Sequence, residues 1–218
     1  MAEAKLIISP RNYSSWALRG WLMAKFAGLD FEEEMTSPDD PATRAELLLL
    51  SPSFLVPSLI HGDVRVWDTL AIGEYLNEIK PKAGLLPTEK VARAHCRSIC
   101  GEMHSGFRAL RSALPVNLRA FYPGYQVYTG VKQDIDRILT IWRECLQRYG
   151  GPYLFGARRT MADAMYAPVV TRFKTYDVKL EGPCASYAQQ ILAMPEMKEW
   201  TDAALLEPDE PLEFEAEF

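Results

Sequence analysis

Apolar positions in the first eighty residues follow two different periods, which indicate alternating strands and helices. A short apolar run over residues 5–9 predicts a buried β-strand, and residues 29–35 form a second candidate strand. Between them, apolar residues recur at helical spacing over residues 16–27, and Gly28 stands where that helix would end. The chain is therefore predicted to begin with a strand, a helix and a strand.

The next segment predicts a second helix over residues 41–50, followed by a hairpin and a third helix. The hairpin has short strands at residues 57–60 and 64–67 around a His-Gly-Asp turn. The third helix covers residues 68–79, with Asp68 or Thr69 as its N-cap. This order of elements predicts an α+β domain in which helices pack on a mixed sheet.

Beyond residue 80 the pattern changes to long helical periods, and no segment predicts a strand. Apolar residues spaced alternately by three and four predict one long helix through residues 96–114 and another over residues 135–149. A third helix is predicted to begin at Thr160, with a kink at Pro168, and residues 195–206 form a fourth. This part of the chain predicts an all-helical bundle.

Charge is distributed unevenly along the 218 residues, which carry 24 Lys and Arg against 29 Asp and Glu. Residues 1–80 have a net charge of −5, residues 81–206 have +6, and residues 207–218 carry six acids and no base. The change of sign coincides with a segment rich in Pro and Gly. We therefore predict a first domain over 1–80, a linker over 81–88, and a second domain over 89–218 that ends in an acidic tail.

Composition excludes several classes of protein. An apolar share of 48% excludes a mainly disordered chain, and the net negative charge argues against nucleic-acid binding. No apolar run approaches the roughly 18–20 residues of a membrane span, and the first residues do not resemble a signal peptide. The four cysteines lack metal-ligand spacing, so we expect no metal, and we interpret Cys96 and Cys100 as structural thiols. These features predict a cytoplasmic protein.

Ser14 and Ser15 lie where the first predicted helix begins, at backbone N–H groups that have no partner within the helix. The simpler interpretation is that one of them is an N-cap. The functional interpretation is that a hydroxyl at this position, aided by the helix dipole, donates a hydrogen bond to a thiolate. The pattern alone leaves both open.

Five sequence motifs occur in a characteristic order. They are Tyr13-Ser14-Ser15-Trp16 followed by Arg19, then Gly28-Leu29-Asp30-Phe31-Glu32, Val56-Pro57-Ser58-Leu59, Trp67-Asp68-Thr69-Leu70-Ala71-Ile72-Gly73-Glu74-Tyr75-Leu76, and Thr160-Met161-Ala162-Asp163. With these motifs the chain resembles the cytosolic glutathione S-transferases of the serine type, most closely the zeta class. The resemblance implies a thioredoxin-like first domain followed by an all-helical second domain.

The resemblance also implies an activity and a set of site residues. Glutathione, as co-substrate, would add to a soft electrophile after Ser14 stabilises its thiolate, with Ser15 beside it and Tyr13 as the alternative hydroxyl. The other glutathione-binding residues implied are Val56, with a free backbone before a cis Pro57, together with Asp68 for the amino group and Thr69 for the γ-glutamyl carboxylate. Thr160 and Asp163 are interpreted as a structural capping box.

Two residues depart from the zeta pattern. Trp16 replaces the Cys of the Ser-Ser-Cys motif of that class, whose maleylacetoacetate isomerase chemistry depends on the residues around that Cys, so isomerase activity is an alternative that this position disfavours. Leu55 replaces a Gln or Lys that usually helps to bind glutathione, which keeps open a non-catalytic binding or regulatory protein.

Cationic side chains recur along the predicted helix of residues 96–114 and just before it. Their spacing predicts one helix face that carries Arg93, Arg97, His104, Arg108 and Arg111. This face is either solvated, with paired charges four residues apart, or it lines the cleft between the domains. In the second case Tyr13, Trp16, His104, Arg108 and Arg111 form the electrophile pocket. The resemblance further implies a detoxification enzyme and a homodimer, which the opposite charges of the two parts would favour.

Overall fold

The structure is a computed structural model that describes residues 4–36 and 56–208. The first part of the chain contains four strands and two helices among the described residues. They are β1 (Ala4–Ile8), α1 (Ser15–Ala27), β2 (Phe31–Met35), β3 (Ser58–His61), β4 (Val64–Trp67) and α2 (Thr69–Ile79). The predicted helix over 41–50 and the departure at Leu55 lie outside the described residues.

The four strands form one mixed sheet in the order β2-β1-β3-β4. β1 and β2 are parallel and joined through α1, whereas β3 pairs antiparallel with both β1 and β4. Leu6, Ile7 and Ile8 are fully buried, which explains why β1 is a continuous apolar run. Gly28 ends α1 with a φ of 67°, a conformation that favours glycine. The predicted mixed sheet with packed helices is confirmed.

The second part of the chain is helical, and past residue 80 the described residues contain no strand. A short 3₁₀ turn (Pro81–Ala83) precedes six helices: α3 (Lys90–Ser105), α4 (Arg108–Ala113), α5 (Thr129–Tyr149), α6 (Met161–Thr175), α7 (Gly182–Ala193) and α8 (Pro195–Leu206). No helix in the described ranges is long and apolar enough to cross a membrane. α7 was not predicted, although its four buried residues, at positions 184, 187, 188 and 191, have the spacing of a single helix face.

The prediction of one continuous helix through residues 96–114 is wrong. α3 ends at Ser105, Gly106 is extended, and Phe107 adopts a left-handed φ of 60° before α4 begins. Phe107 and Leu110 nevertheless remain buried. The apolar spacing thus continues across a break in the backbone, and the spacing alone could not reveal it.

α6 lies at the centre of the molecule, and nearly all of its residues are buried. The predicted capping box is present, because the Asp163 carboxylate accepts a hydrogen bond from Thr160 N at 2.7 Å and the Thr160 side chain accepts one from Asp163 N. The other Asp163 oxygen accepts from Leu154 N at 3.1 Å. Arg19 of α1 donates from Nε to Met165 O of α6 at 2.9 Å. α6 therefore joins the sheet domain to the helical part.

All four cysteines, Cys96, Cys100, Cys145 and Cys184, are buried free thiols. Burial raises the pKa of Cys145 to about 12, so its reactive thiolate form is disfavoured at neutral pH. The interpretation of Cys96 and Cys100 as structural thiols fits this burial.

Candidate active site

Ser14 is the N-cap of α1, as one of the two interpretations predicted. Its Oγ accepts a hydrogen bond from Ala17 N at 3.2 Å and another from Ser9 Oγ at 2.6 Å. Ser14 and Ser9 are both buried. The Ser14 oxygen is therefore an acceptor in both contacts, at the positive end of a helix of thirteen residues.

Ser15, the next residue, faces a buried cation. Its Oγ accepts a hydrogen bond at 3.2 Å from Nη1 of Arg19, one turn along α1. Arg19 is 1% exposed, so its charge acts with little screening by water. Arg19 belongs to the first sequence motif, but only the fold shows that its positive charge lies next to Ser15, at the start of α1.

The segment before β3 packs against α1. The Val56–Pro57 peptide bond is cis, as the resemblance implied. A Cβ added at Gly20 would lie 2.5 Å from Cγ of Pro57, so only glycine permits this close approach of the proline ring to the helix. The approach fixes Val56 relative to the helix that begins at Ser15.

Asp68 and Thr69 form the start of α2. Asp68 is the N-cap, since its Oδ1 accepts from Leu70 N at 2.8 Å, and it has a φ of 74°. Thr69 is 2% exposed, and within the described part of the chain its Oγ1 has no hydrogen-bond partner. A buried hydroxyl without a partner costs about 1–3 kcal/mol. A hydroxyl of this kind at a helix N-terminus suits a ligand carboxylate, which would satisfy it.

His104 reaches from the end of α3 to the start of α2. Its Nε2 lies 2.5 Å from Oδ2 of Asp68, and both side chains are partly exposed. Although burial acts to raise the pKa of Asp68, hydrogen bonds from His104 and from Leu70 N lower it below its usual value. The Asp68 carboxylate is thus held ionised, with one oxygen bonded to Leu70 and the other to His104.

Two guanidinium groups lie close to the Trp16 indole. Cζ of Arg19 is 4.3 Å from the ring centroid and Cζ of Arg111 is 4.8 Å from it, while the His104 ring is 5.2 Å away. Arg111 is buried, and its Nη2 donates to His104 O at 2.9 Å and to Met103 O. Both distances are within the range of a cation–π interaction, which stabilises this placement of Trp16.

The predicted cationic face does not exist as a single face. Arg97 forms a two-bond ion pair with Glu74 of α2, with N–O distances of 2.7 and 2.8 Å, and Arg93 donates to backbone carbonyls of residues 87 and 88. Arg108 is exposed at the first position of α4, and Tyr13 is half-buried in the turn before Ser14. The structure thus brings His104 and Arg111 to Trp16, whereas Arg93 and Arg97 have other partners.

The described residues contain no group of three or more His, Cys, Asp or Glu side chains placed to hold a metal ion. The groups that converge in this region are hydroxyls, backbone amides at two helix N-termini, one carboxylate and two buried guanidinium groups. Chemically, this arrangement can bind an extended anionic molecule and stabilise a negative charge near Ser14.

Two family models match the chain. One, described as "Glutathione S-transferase, N-terminal domain", covers residues 13–79, and the other, described as "Glutathione S-transferase, C-terminal domain", covers residues 125–203. Both of the domains that the motifs implied are therefore recognised in the chain.

Similar proteins include both transferases and isomerases by name. A probable maleylacetoacetate isomerase of Caenorhabditis elegans is 27% identical over 174 residues, which are 78% of each chain. Glutathione S-transferase 1 of Dianthus caryophyllus is 28% identical over 161 residues, 73% of each chain. A solved structure of a glutathione transferase homologue from Burkholderia, with bound glutathione, has a TM-score of 0.69 at 21% identity and covers 94% of this chain and 99% of its own. This last likeness shows a shared fold.

Proposed function

Because the chain belongs to the glutathione S-transferase family, we propose that it activates the thiol of glutathione and adds it to a soft electrophile. The observation that carries the proposal is the placement of Ser14. Its buried hydroxyl caps α1 and uses its oxygen for two accepted hydrogen bonds, so its own hydrogen is available to a sulfur atom.

The required energy is of the order that this placement can supply. A free thiol has a pKa of about 8.5, and lowering it by two units requires about 2.7 kcal/mol of differential stabilisation. A hydrogen bond to a charged group contributes about 1.5–3 kcal/mol, and a helix N-terminus adds about 0.3–1 kcal/mol. In the reaction the thiol proton passes to solvent, and the thiolate forms the carbon–sulfur bond. With an aryl halide, the carbon–halogen bond breaks and halide leaves.

Glutathione would bind along the face that α1, β3 and α2 share. We assign the peptide backbone of the ligand to Val56 before Pro57, its amino group to Asp68 and its γ-glutamyl carboxylate to Thr69, with Ser15 beside the sulfur. The unpartnered Oγ1 of Thr69 and the ionised state of Asp68 support this assignment. The Asp68 carboxylate is opposite in charge to the ligand amino group, and the neutral Thr69 hydroxyl can donate a hydrogen bond to the ligand carboxylate.

The electrophile would lie against Trp16. Trp16 forms an apolar wall whose position is set by Arg19 and Arg111, and Tyr13 and Arg108 border the same side of the site in our proposal. The exposed charge of Arg108 would favour an anionic or carbonyl-bearing substrate.

The test is a pair of alanine variants at adjacent hydroxyls. Ser14→Ala should lose most turnover with chlorodinitrobenzene, by about a hundredfold, while the affinity for glutathione measured by calorimetry is kept. Ser15→Ala is the matched control and should lose less. Unchanged turnover in Ser14→Ala would exclude Ser14 as the catalytic hydroxyl. No glutathione binding by the wild type at millimolar ligand would instead favour the non-catalytic alternative.

Isomerase activity is the second candidate, because relatives such as the Caenorhabditis elegans protein are named maleylacetoacetate isomerases. Trp16 disfavours it, since an indole with guanidinium groups 4.3 and 4.8 Å from its ring centroid stands where that class has a Cys. A direct assay with maleylacetone decides between the candidates. Turnover by the wild type faster than its transfer to chlorodinitrobenzene would make the isomerase the main activity.

The wider setting belongs to the same proposal. We assign the chain to two domains, over residues 1–80 and 89–218. We further propose that two copies of the chain form a homodimer and that this dimer acts in cytoplasmic detoxification. The opposite net charges of residues 1–80 and 81–206 support packing of one subunit's first domain on the partner's second domain. Sedimentation of the purified chain at two salt concentrations tests this, because a charge-assisted dimer weakens as salt rises.

A further inference from the structure

Ser9 and Ser14 lie at the two ends of the loop between β1 and α1. Ser9 directly follows Ile8, the last residue of β1, and is 3% exposed. The loop closes on itself, since Ser14 N donates to Pro10 O at 3.2 Å. This closure brings Ser9 Oγ to within 2.6 Å of Ser14 Oγ.

These hydrogen bonds determine whether Ser14 donates or accepts when a third group approaches it. A serine hydroxyl has one hydrogen to donate and two lone pairs that accept. Ser9 Oγ and Ala17 N together occupy both acceptor positions of Ser14. Ser14 can therefore meet a third group only as a donor.

We propose that Ser9 is a positioning residue for the reaction. Its hydrogen bond ensures that Ser14 can only donate, and not accept, a hydrogen bond when it meets the glutathione sulfur. This inference rests on the proposed function. Because hydrogen bonds in a chain polarise one another, the bond accepted from Ser9 also strengthens the bond that Ser14 donates. Ser9 does not touch the substrate and acts only through Ser14.

Removing the Ser9 hydroxyl changes which form of the thiol is favoured. With one lone pair released, Ser14 can accept a hydrogen bond from the neutral S–H group as well as donate to the thiolate. A hydrogen bond to the neutral form raises the pKa of an acid, whereas one to the charged form lowers it. Loss of Ser9 should therefore raise the pKa of the bound thiol while leaving the binding of the tripeptide unchanged.

The experiment is a pH profile of Ser9→Ala. We expect the apparent pKa of bound glutathione, followed by the ultraviolet absorbance of the thiolate, to rise by about one unit, with kcat/KM for chlorodinitrobenzene about tenfold lower at neutral pH. At a pH above both pKa values the two enzymes should converge, because the thiol is then ionised without help. KM for glutathione should stay within about twofold.

Conservative variants provide the control. Ser9→Thr keeps the hydroxyl and should restore the wild-type profile, and Ser9→Cys keeps the size with a weaker donor and should give a smaller shift. If Ser9→Ala does not fold in a thermal melt, the comparison of Ser9→Cys with wild type makes the same measurement. An unchanged thiol pKa in a folded variant, or a loss of rate that is equal at all pH values, would overturn the inference.

The two proposals fail in different ways. If Ser14→Ala is inactive and the Ser9 variants behave as wild type, the catalytic assignment stands and the role of Ser9 is refuted. If Ser14→Ala keeps full turnover, both are refuted.

Discussion

Ser14 and Thr69 are both hydroxyl side chains at the N-terminus of a helix, but their hydrogen bonds differ. Ser14 Oγ accepts two hydrogen bonds from neighbouring groups, whereas Oγ1 of Thr69 has none from the residues that the structure describes. Folding thus occupies both acceptor positions of the Ser14 hydroxyl and leaves its hydrogen available, whereas the Thr69 hydroxyl has neither kind of partner. This difference is consistent with the separate catalytic and binding roles that we propose for the two hydroxyls.

Thr69→Val should change stability and binding in opposite directions. The substitution keeps the shape and removes a buried, unsatisfied hydroxyl, so the free energy of unfolding of the ligand-free protein should rise by up to about 1 kcal/mol. Loss of a hydrogen bond to a carboxylate should weaken glutathione binding by about tenfold or more. Denaturant melts measure the change in stability, and calorimetry measures the change in binding. Thr69→Ser is the control, because it keeps the hydroxyl and should leave stability and glutathione affinity close to those of the wild type. A variant that binds glutathione as well as wild type would refute the carboxylate site at Thr69.

At the scale of single elements, the first turn of α6 contains an ionisable group in a fully buried position. Burial raises the pKa of Asp163 to about 6, against the hydrogen bonds from Leu154 N and Thr160 that act to lower it. Because the carboxyl is harder to ionise in the folded protein, its contribution to the free energy of unfolding is greatest below 3.8, its ordinary pKa. That contribution is lost as the pH rises to about 6.

Between those two pH values, this group should lower the free energy of unfolding by about 3 kcal/mol. In Asp163→Asn, which cannot titrate, this part of the pH dependence should disappear. Urea melts of both proteins from pH 4 to pH 7 measure the difference in slope. Equal slopes in the two proteins would show that Asp163 titrates normally.

The hydrogen bond between His104 of α3 and Asp68 at the start of α2 gives His104 two alternative roles, which kinetics can distinguish. If His104 faces the electrophile, its loss should lower kcat; if it holds Asp68, its loss should raise KM for glutathione. His104→Phe keeps the ring against Trp16 and removes the hydrogen bond. We expect a KM about three- to tenfold higher with kcat unchanged, because the His104–Asp68 pair is partly exposed and modest in energy.

His95→Phe is the matched control, since His95 lies on the same helix and bonds instead to the Tyr149 hydroxyl at 3.0 Å. It should leave both kinetic constants unchanged. A fall in kcat with constant KM in His104→Phe would place His104 in the electrophile pocket.

The helices and strands of this fold could be predicted from the local sequence pattern to different degrees. β1, α1, the hairpin and α2 were predicted because each has a clear period and a recognisable end, such as Gly28 or Asp68. The break after Ser105 was missed because Phe107 and Leu110 keep the apolar spacing on both sides of it. The spacing of apolar residues indicates which residues are buried, but it does not indicate whether the helix between them is continuous.

For the molecule as a whole, the contacts that complete the site join residues far apart in sequence. Arg19 was identified from a motif, but its bond to Met165 O spans 146 residues and no local period encodes it. Glu207 was counted as the first acid of the tail, yet it lies against Arg11, 196 residues away. Family motifs therefore indicate a candidate hydroxyl, while the contacts that hold it in position are found only in the folded chain.

Glu207 connects the end of α8 to the loop that carries Ser14. Its carboxylate accepts hydrogen bonds from Arg11 N at 2.8 Å and from Arg11 Nη1 at 2.9 Å, and its backbone carbonyl accepts one from Arg119. Arg11 also pairs with Glu33 of β2, and Trp200 Nε1 donates to Arg11 O at 3.2 Å. Since these groups are mostly buried, the C-terminal end of the helical part holds the β1–α1 loop in place.

Replacing Glu207 by Gln should therefore affect both stability and catalysis. Loss of a mostly buried charge partner should lower the free energy of unfolding by about 1–3 kcal/mol, and the loosened loop should lower kcat more than it raises KM for glutathione. Glu199→Gln is the control, because Glu199 pairs with Lys25 of α1 rather than with the β1–α1 loop and is 54% exposed, so its loss should cost less than about 1 kcal/mol. A Glu207→Gln variant that loses stability while keeping wild-type kcat would show that the contact supports the fold without positioning Ser14.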